Sequence, residues 1–239
     1  RVLVRLKKTS EKKDRVLFVG YEFMMARHIH YFKDKINEKL PDITSIEIKW
    51  EDITKKIKWG IKKQQDLSSN IITDLYPHIL SFLYVILGNK KVLIKNFESV
   101  DGYFNCKLKI LYGDIPVSIS LNKQANKANR SIKVKSSSKG NISLNFTNEP
   151  GKIKLNSHTV ESDNQWDQYL RPLNSEIAHF FSELTKPINN LPTLAKNSIN
   201  IVSATQDANT VMNDIHTNLI LDSIKDGEIE NPSKELITI

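Results

Sequence analysis

The residues best suited to chemistry lie at positions 73–78, where the sequence reads TDLYPH. On a helix, Asp74 and His78 are one turn apart, so both side chains can lie on the same face and contact the same group. A carboxylate beside an imidazole can orient the ring and assist proton transfer to or from a hydroxyl or carbonyl group. The same spacing also fits a helix cap beside a packed histidine, and spacing alone favours that structural role.

Other kinds of active site find no support in the sequence. The eight glycines form neither a G-x-G-x-x-G motif nor a phosphate-binding loop, and no nucleophile elbow is present. The six histidines lack metal-binding spacing, so no metal site is predicted. The single cysteine, Cys106, excludes an intrachain disulfide and a cysteine-based zinc site, which favours a reducing, cytoplasmic compartment.

The composition describes a globular chain with a surplus of basic residues. Of 239 residues, 39% are hydrophobic, and 35 basic against 27 acidic side chains give a net charge of +8. The longest apolar run, at 79–87, is too short to cross a membrane. Lysines at 55–63 and 123–139 fit nucleic-acid binding, but no known nucleic-acid motif accompanies them, and a solvated surface is favoured. The charge also fits an anionic small-molecule substrate.

The elements that must position Asp74 and His78 follow from hydrophobic periodicity. The apolar run at 15–21 predicts a buried strand, residues 23–39 a helix, and 43–50 a strand. A helix over 70–87 carries the pair and ends at Gly88.

The rest of the chain predicts a sheet followed by helices. Residues 91–159 alternate between apolar and polar types and predict five strands with one apolar and one polar face. Helices follow at 166–184 and from 191 to about 212, and the apolar face should pack on the helices at 70–87 and 166–184. The predicted fold class is α+β, an open-faced, mainly antiparallel sheet backed by helices.

This order of segments resembles one family of enzymes. The motifs are FVGY at 18–21, the D-x-x-x-H helix with its aliphatic run and Leu-Gly at 74–88, the open-faced strands and a helix containing Phe180. Together they resemble the C-terminal domain of the Gfo/Idh/MocA oxidoreductases, the glucose–fructose oxidoreductase and inositol dehydrogenase type. The resemblance covers about residues 15–212, and the D-x-x-x-H helix is its most specific part.

The resemblance implies a domain organisation and a function. Residues 1–22 would be the end of an N-terminal Rossmann domain, 23–222 an α/β substrate and oligomerisation domain, and 223–239 an acidic tail. The chain would be the substrate part of an NAD(P)-dependent oxidoreductase acting on a sugar, polyol or related hydroxy or carbonyl compound. NAD or NADP would be bound mainly by a domain absent from this chain, which alone would be inactive. Relatives of this kind also imply a homo-oligomer formed through the sheet.

The resemblance also assigns site residues. His78 and Asp74 would be the catalytic residues, with His78 transferring the proton and Asp74 orienting it. Tyr76 and Tyr21 would contact the substrate, although core packing is favoured for Tyr21 and is equally expected for Tyr76.

Several positions depart from the family pattern. Its dinucleotide fingerprint and Glu-Lys-Pro segment would precede residue 1, serines replace a frequent Gly-Gly pair at 68–69, and Met24 replaces an arginine. These departures favour an alternative function, a non-catalytic binding or scaffold relative that keeps the sheet.

Overall fold

The computed structural model describes residues 2–13, 17–58, 61–64, 69–99, 104–156, 158–184 and 192–225. The α-helices within them are α1 (Val2–Lys12), α2 (Arg27–Lys39), α3 (Ile71–Leu87), α4 (Pro172–Leu184) and α5 (Pro192–Lys225). Short 3-10 helices precede α2 and α4, at Glu22–Met25 and Gln168–Leu170. None of the described helices is long and apolar enough to span a membrane.

Eight strands form one large sheet, and two more form a separate hairpin. The spatial order in the sheet is β10-β9-β8-β7-β1-β6-β5-β4, and β2 pairs with β3. In chain order the strands are β1 (Ser45–Glu51), β2 (Lys55–Lys58), β3 (Ile61–Gln64), β4 (Val92–Ser99), β5 (Asn105–Tyr112), β6 (Ile115–Asn122), β7 (Asn129–Ser136), β8 (Gly140–Asn145), β9 (Lys152–Leu155) and β10 (His158–Glu161).

Strand β1 joins the two halves of the sheet. It runs parallel to β6 and antiparallel to β7, so that Ile48 lies opposite Ile119 on one side and Ile132 on the other. All other neighbours in the sheet are antiparallel. The carboxyl end of β1 therefore meets the carboxyl end of β6 and the start of β7, which brings side chains from three strands to one edge.

One face of the sheet is buried and the other is open. Alternate residues of β1 and β5 to β9 point into the core, where α3 packs against β5 and β6 and is covered in turn by α2 and α5. Helix α3 is apolar on nearly all sides because it lies between these layers. The predicted α+β class with an open-faced, mainly antiparallel sheet is confirmed.

Two predictions about the flanks of the sheet are wrong. Residues 17–21, the described part of the predicted strand at 15–21, form no strand. Phe18 packs on α4 instead, with its ring centroid 5.4 Å from that of Phe180, whereas Val19 and Tyr21 pack against the core. Helix α4 contacts the 3-10 helix at Glu22–Met25 rather than the sheet. Its predicted apolar stripe is therefore largely exposed, at Leu173, Ile177, Phe181 and Leu184.

Smaller differences concern element ends. The helix predicted over 23–39 is interrupted at Ala26, whose extended backbone separates the 3-10 helix from α2. The last helix does not end near residue 212 but continues to Lys225, into the predicted acidic tail. Residues 226–239 of that tail lie outside the described residues.

Candidate active site

The first turn of α3 lies at the edge where β1, β6 and β7 meet. Asn70 caps the helix, because its side-chain oxygen accepts a hydrogen bond from the Thr73 N–H at 2.8 Å. Asp74 follows in the first turn, where a negative charge interacts favourably with the helix dipole. His78 lies one turn further on, so the two predicted catalytic residues do share one helix, as the sequence predicted.

His78 is half-buried against aromatic rings. Its imidazole stacks on the Trp50 indole, with centroids 5.7 Å apart and planes 20° apart, and meets the edge of Phe23 at 5.3 Å. Nδ1 is buried without a hydrogen-bond partner. Burial lowers the pKa of His78, the Asp74 carboxylate opposes that change, and the Arg130 guanidinium adds to it. The imidazole is therefore neutral at neutral pH and able to accept a proton.

Asp74 is held by a lysine that sequence reasoning did not select. Lys123 Nζ lies 2.8 Å from Asp74 Oδ2 and donates a second hydrogen bond to the Ser69 carbonyl at 3.2 Å. The lysine side chain is completely buried, whereas that of Asp74 is 40% exposed. The predicted role of Asp74 in orienting His78 stays a prediction, since the ion pair seen here joins Asp74 to Lys123.

A second ion pair supports the indole on which His78 stacks. Asp52 accepts a hydrogen bond from Trp50 Nε1 at 3.0 Å, and Arg130 Nη2 donates to both of its carboxylate oxygens at 2.9 and 2.8 Å. The Arg130 guanidinium lies 4.4 Å from the centre of the Trp50 ring, a cation–π contact. Sequence patterns gave no sign of this cluster, because its members are distant in the chain and meet only through the pairing of β1 with β7.

The two predicted substrate-binding tyrosines lie in different surroundings. Tyr76 is fully buried, its hydroxyl has no hydrogen-bond partner, and burial raises its pKa, as does the charge of Asp207 on α5. The structure thus places Tyr76 in the core, away from His78. Tyr21 is also buried, which raises its pKa to about 12, but it directly precedes the 3-10 helix that carries Phe23 to the His78 ring.

A broad depression of the described surface lies away from His78. It has a volume of about 350 Å³ and is located on the open face of the sheet, on the side away from α3. Its lining includes Glu47, Lys49, Lys107, Lys109 and Ser118.

The described residues lack the kind of turn that usually binds a dinucleotide. Nucleotide cofactors bind glycine-rich turns between a parallel strand and a helix. Here the parallel pair β1 and β6 is separated by a hairpin, α3 and two antiparallel strands, and the sequence has no glycine-rich fingerprint. Among the described residues, no group of histidine, cysteine and acidic side chains could hold a metal ion.

Comparison with known proteins identifies the fold through structure alone. No protein-family model matches the sequence, and no curated protein matches it either. The 3-ketoreductase KijD10 from Actinomadura kijaniata, solved with TDP-benzene and NADP, superposes with a TM-score of 0.63 at 10% identity. That match covers 85% of this chain and 63% of KijD10.

Two further solved structures are similar to this chain over nearly the same share of its length. D-galactose-1-dehydrogenase from Rhizobium etli has a TM-score of 0.58 at 15% identity, over 85% of this chain and 63% of its own. The UDP-N-acetylglucosamine 3-dehydrogenase GnnA from Acidithiobacillus ferrooxidans has a TM-score of 0.61 at 14% identity, over 86% and 64%. This chain thus spans somewhat less than two thirds of the length of these proteins. The predicted resemblance to the C-terminal domain of Gfo/Idh/MocA-type oxidoreductases is confirmed in the fold.

Proposed function

We propose that this chain is the substrate-binding part of an NAD(P)-dependent oxidoreductase that acts on a sugar, polyol or related hydroxy or carbonyl compound. The observation that carries the proposal is the placement of His78. The His78 imidazole lies in the second turn of α3, stacked on Trp50 near the end of β1, in a fold shared with sugar dehydrogenases and a ketoreductase. Fixed aromatic contacts hold the ring, as a proton-transferring residue requires.

In this proposal the described residues bind the substrate and move a proton. The His78 imidazole accepts the proton of a substrate hydroxyl during oxidation and returns it to the carbonyl oxygen during reduction. NAD or NADP would exchange hydride with the substrate, and residues outside the described ones would bind it. Asp74 remains the proposed residue that orients His78 and Tyr21 a proposed substrate contact, whereas the burial of Tyr76 favours a packing role.

A scaffold protein without catalysis is the second candidate. The observation that favours it is the ion pair between Asp74 and Lys123, which occupies the predicted catalytic carboxylate from within the chain. A protein of this kind would keep the sheet and the aromatic cluster but bind no nicotinamide cofactor.

Cofactor binding by the full natural chain separates the two candidates. The oxidoreductase proposal predicts that NADH or NADPH fluorescence changes saturably when the protein is titrated in. It also predicts turnover of at least one member of a panel of sugars, polyols, sugar acids and nucleotide sugars, the anionic members being included because the chain is basic. Residues 1–239 alone should give neither result. Absence of cofactor binding by the full natural chain would favour the scaffold.

We also propose that the chain forms a homo-oligomer through the open face of the sheet and functions in the cytoplasm. The face combines Leu93, an exposed leucine, with charges of both signs, Glu47 being bound by Lys135. Such mixed charges lower the cost of bringing two like surfaces together about a two-fold axis. Light scattering at micromolar concentration and moderate salt should show a multimer; a monomer there would contradict the proposal.

A further inference from the structure

Lys123 is unusual because a charged side chain is rarely buried completely. Its backbone is fixed immediately after β6, where its N–H donates to the Phe104 carbonyl at 2.9 Å. Its ammonium group has two partners, the Asp74 carboxylate at 2.8 Å and the Ser69 carbonyl at 3.2 Å. The fold therefore presents one desolvated cation to the start of α3.

The two members of the ion pair differ in burial, and this difference bears on the role of the pair. Asp74 is 40% exposed, so water alone could stabilise its charge. The burial of the ammonium group carries a large desolvation penalty, which one carbonyl and one partly exposed carboxylate offset poorly. Fold stability is thus a weak explanation for the pair, whereas fixing the position of the Asp74 carboxylate explains why the cation lies there.

We propose that Lys123 is a positioning residue for His78, acting through the carboxylate of Asp74. By holding that carboxylate in place, Lys123 limits how closely Asp74 can approach the imidazole one helical turn away. The relevance of this control to catalysis rests on the proposed function, but the electrostatic effect is a property of this chain alone.

The charges around His78 make the effect measurable. Asp74 raises the pKa of His78, whereas burial and Arg130 lower it. Phe23 and Trp50, the rings in contact with the imidazole, carry no charge. The elements around this ring carry further ionisable groups, which include Asp74 on α3, Lys123 after β6, Arg130 on β7, Asp52 after β1, Glu22 on the 3-10 helix and His28 on α2.

The test is an NMR titration of the chain labelled at histidine Cε1, which follows the pKa of the His78 ring. The His78 resonance is assigned as the signal that disappears in His78→Gln. Lys123→Met releases the Asp74 carboxylate, which can then approach the imidazole, and should raise the pKa of His78 by roughly 0.5 pH unit or more. Asp74→Asn should lower that pKa. Adding Lys123→Met to Asp74→Asn should produce no further change, because the lysine acts through the carboxylate.

Two outcomes would overturn the proposal. One is an unchanged or lowered pKa of His78 in Lys123→Met, and the other is an equal rise in the Asp74→Asn background, which would mean that Lys123 acts directly. Lys123→Gln, which is neutral yet can still donate to the Ser69 carbonyl, should give the same rise and replaces Lys123→Met if that variant does not fold. Because no cofactor or substrate is used, the result is independent of whether the chain belongs to an oxidoreductase.

Discussion

Two carboxylates on or beside strand β1 allow a matched test of how burial changes the contribution of an ion pair to the free energy of unfolding. The Asp52 side chain is 7% exposed, follows the end of β1, and accepts hydrogen bonds from Trp50 and Arg130. Glu47 is 43% exposed, lies nearer the start of β1, and is bound by Lys135. Both cations are on β7, so the two pairs cross the same strand boundary and differ mainly in their exposure to water.

The expected losses follow from that difference. Asp52→Asn can keep the hydrogen bond from Trp50 but loses the charge that faces Arg130. A hydrogen bond to a charged group contributes about 1.5–3 kcal/mol, and the partial exposure of Arg130 places the expected loss near 2 kcal/mol. Glu47→Gln breaks a solvent-exposed pair and should cost about 0–1 kcal/mol.

Urea unfolding of both variants at pH 7 measures the losses against the original chain. We expect the free energy of unfolding to fall by at least about 1 kcal/mol more in Asp52→Asn than in Glu47→Gln. Equal losses in the two variants would refute this expectation, because burial would then not determine how much each ion pair contributes to stability.

Two further predictions concern His28 and two phenylalanines. Burial holds the pKa of His28 at about 4, below the ordinary 6.5, so the unfolded chain binds more protons as the pH falls below 7. The free energy of unfolding should therefore fall by about 1 kcal/mol between pH 7 and 5.5 because of His28, and His28→Leu should reduce the measured pH dependence by that amount in urea titrations; parallel profiles would contradict this. Phe82→Ala should cost about 3–5 kcal/mol because Phe82 is buried among aromatic rings, whereas Phe181→Ala on the exposed face of α4 should change stability by less than about 0.5 kcal/mol; a large loss in Phe181→Ala would be inconsistent with the exposed face.

Local features of the structure could be predicted from the sequence because local patterns determine them. The apolar run at 79–87, with Asn70 before it and Gly88 after it, specifies α3 and its ends. Alternation in strands such as β5 and β6 specifies which face of each strand is buried. Asp74 and His78 were found for the same reason, since four-residue spacing on a helix is a local signal.

Features that depend on distant pairing could not be predicted in this way. Nothing near β1 shows that it lies between β6 and β7, the position that brings Arg130 to Trp50. Likewise, nothing local shows that α3 packs near the end of β6, which brings Lys123 to Asp74. The apolar run at 15–21 resembled a strand because periodicity does not reveal whether such residues pair in a sheet or pack on a helix.

The turnover number of His78→Ala in the full natural chain is the sharpest test of whether His78 transfers the proton. The matched control is His158→Ala, which removes an exposed histidine on β10. In an assay that follows NADH or NADPH with an accepted substrate, loss of a proton-transferring residue should lower kcat by roughly 10²–10⁴-fold in His78→Ala. The control should stay within about twofold of the original chain. Equal kcat values for the two variants, with the fold of both intact, would contradict the assignment of proton transfer to His78.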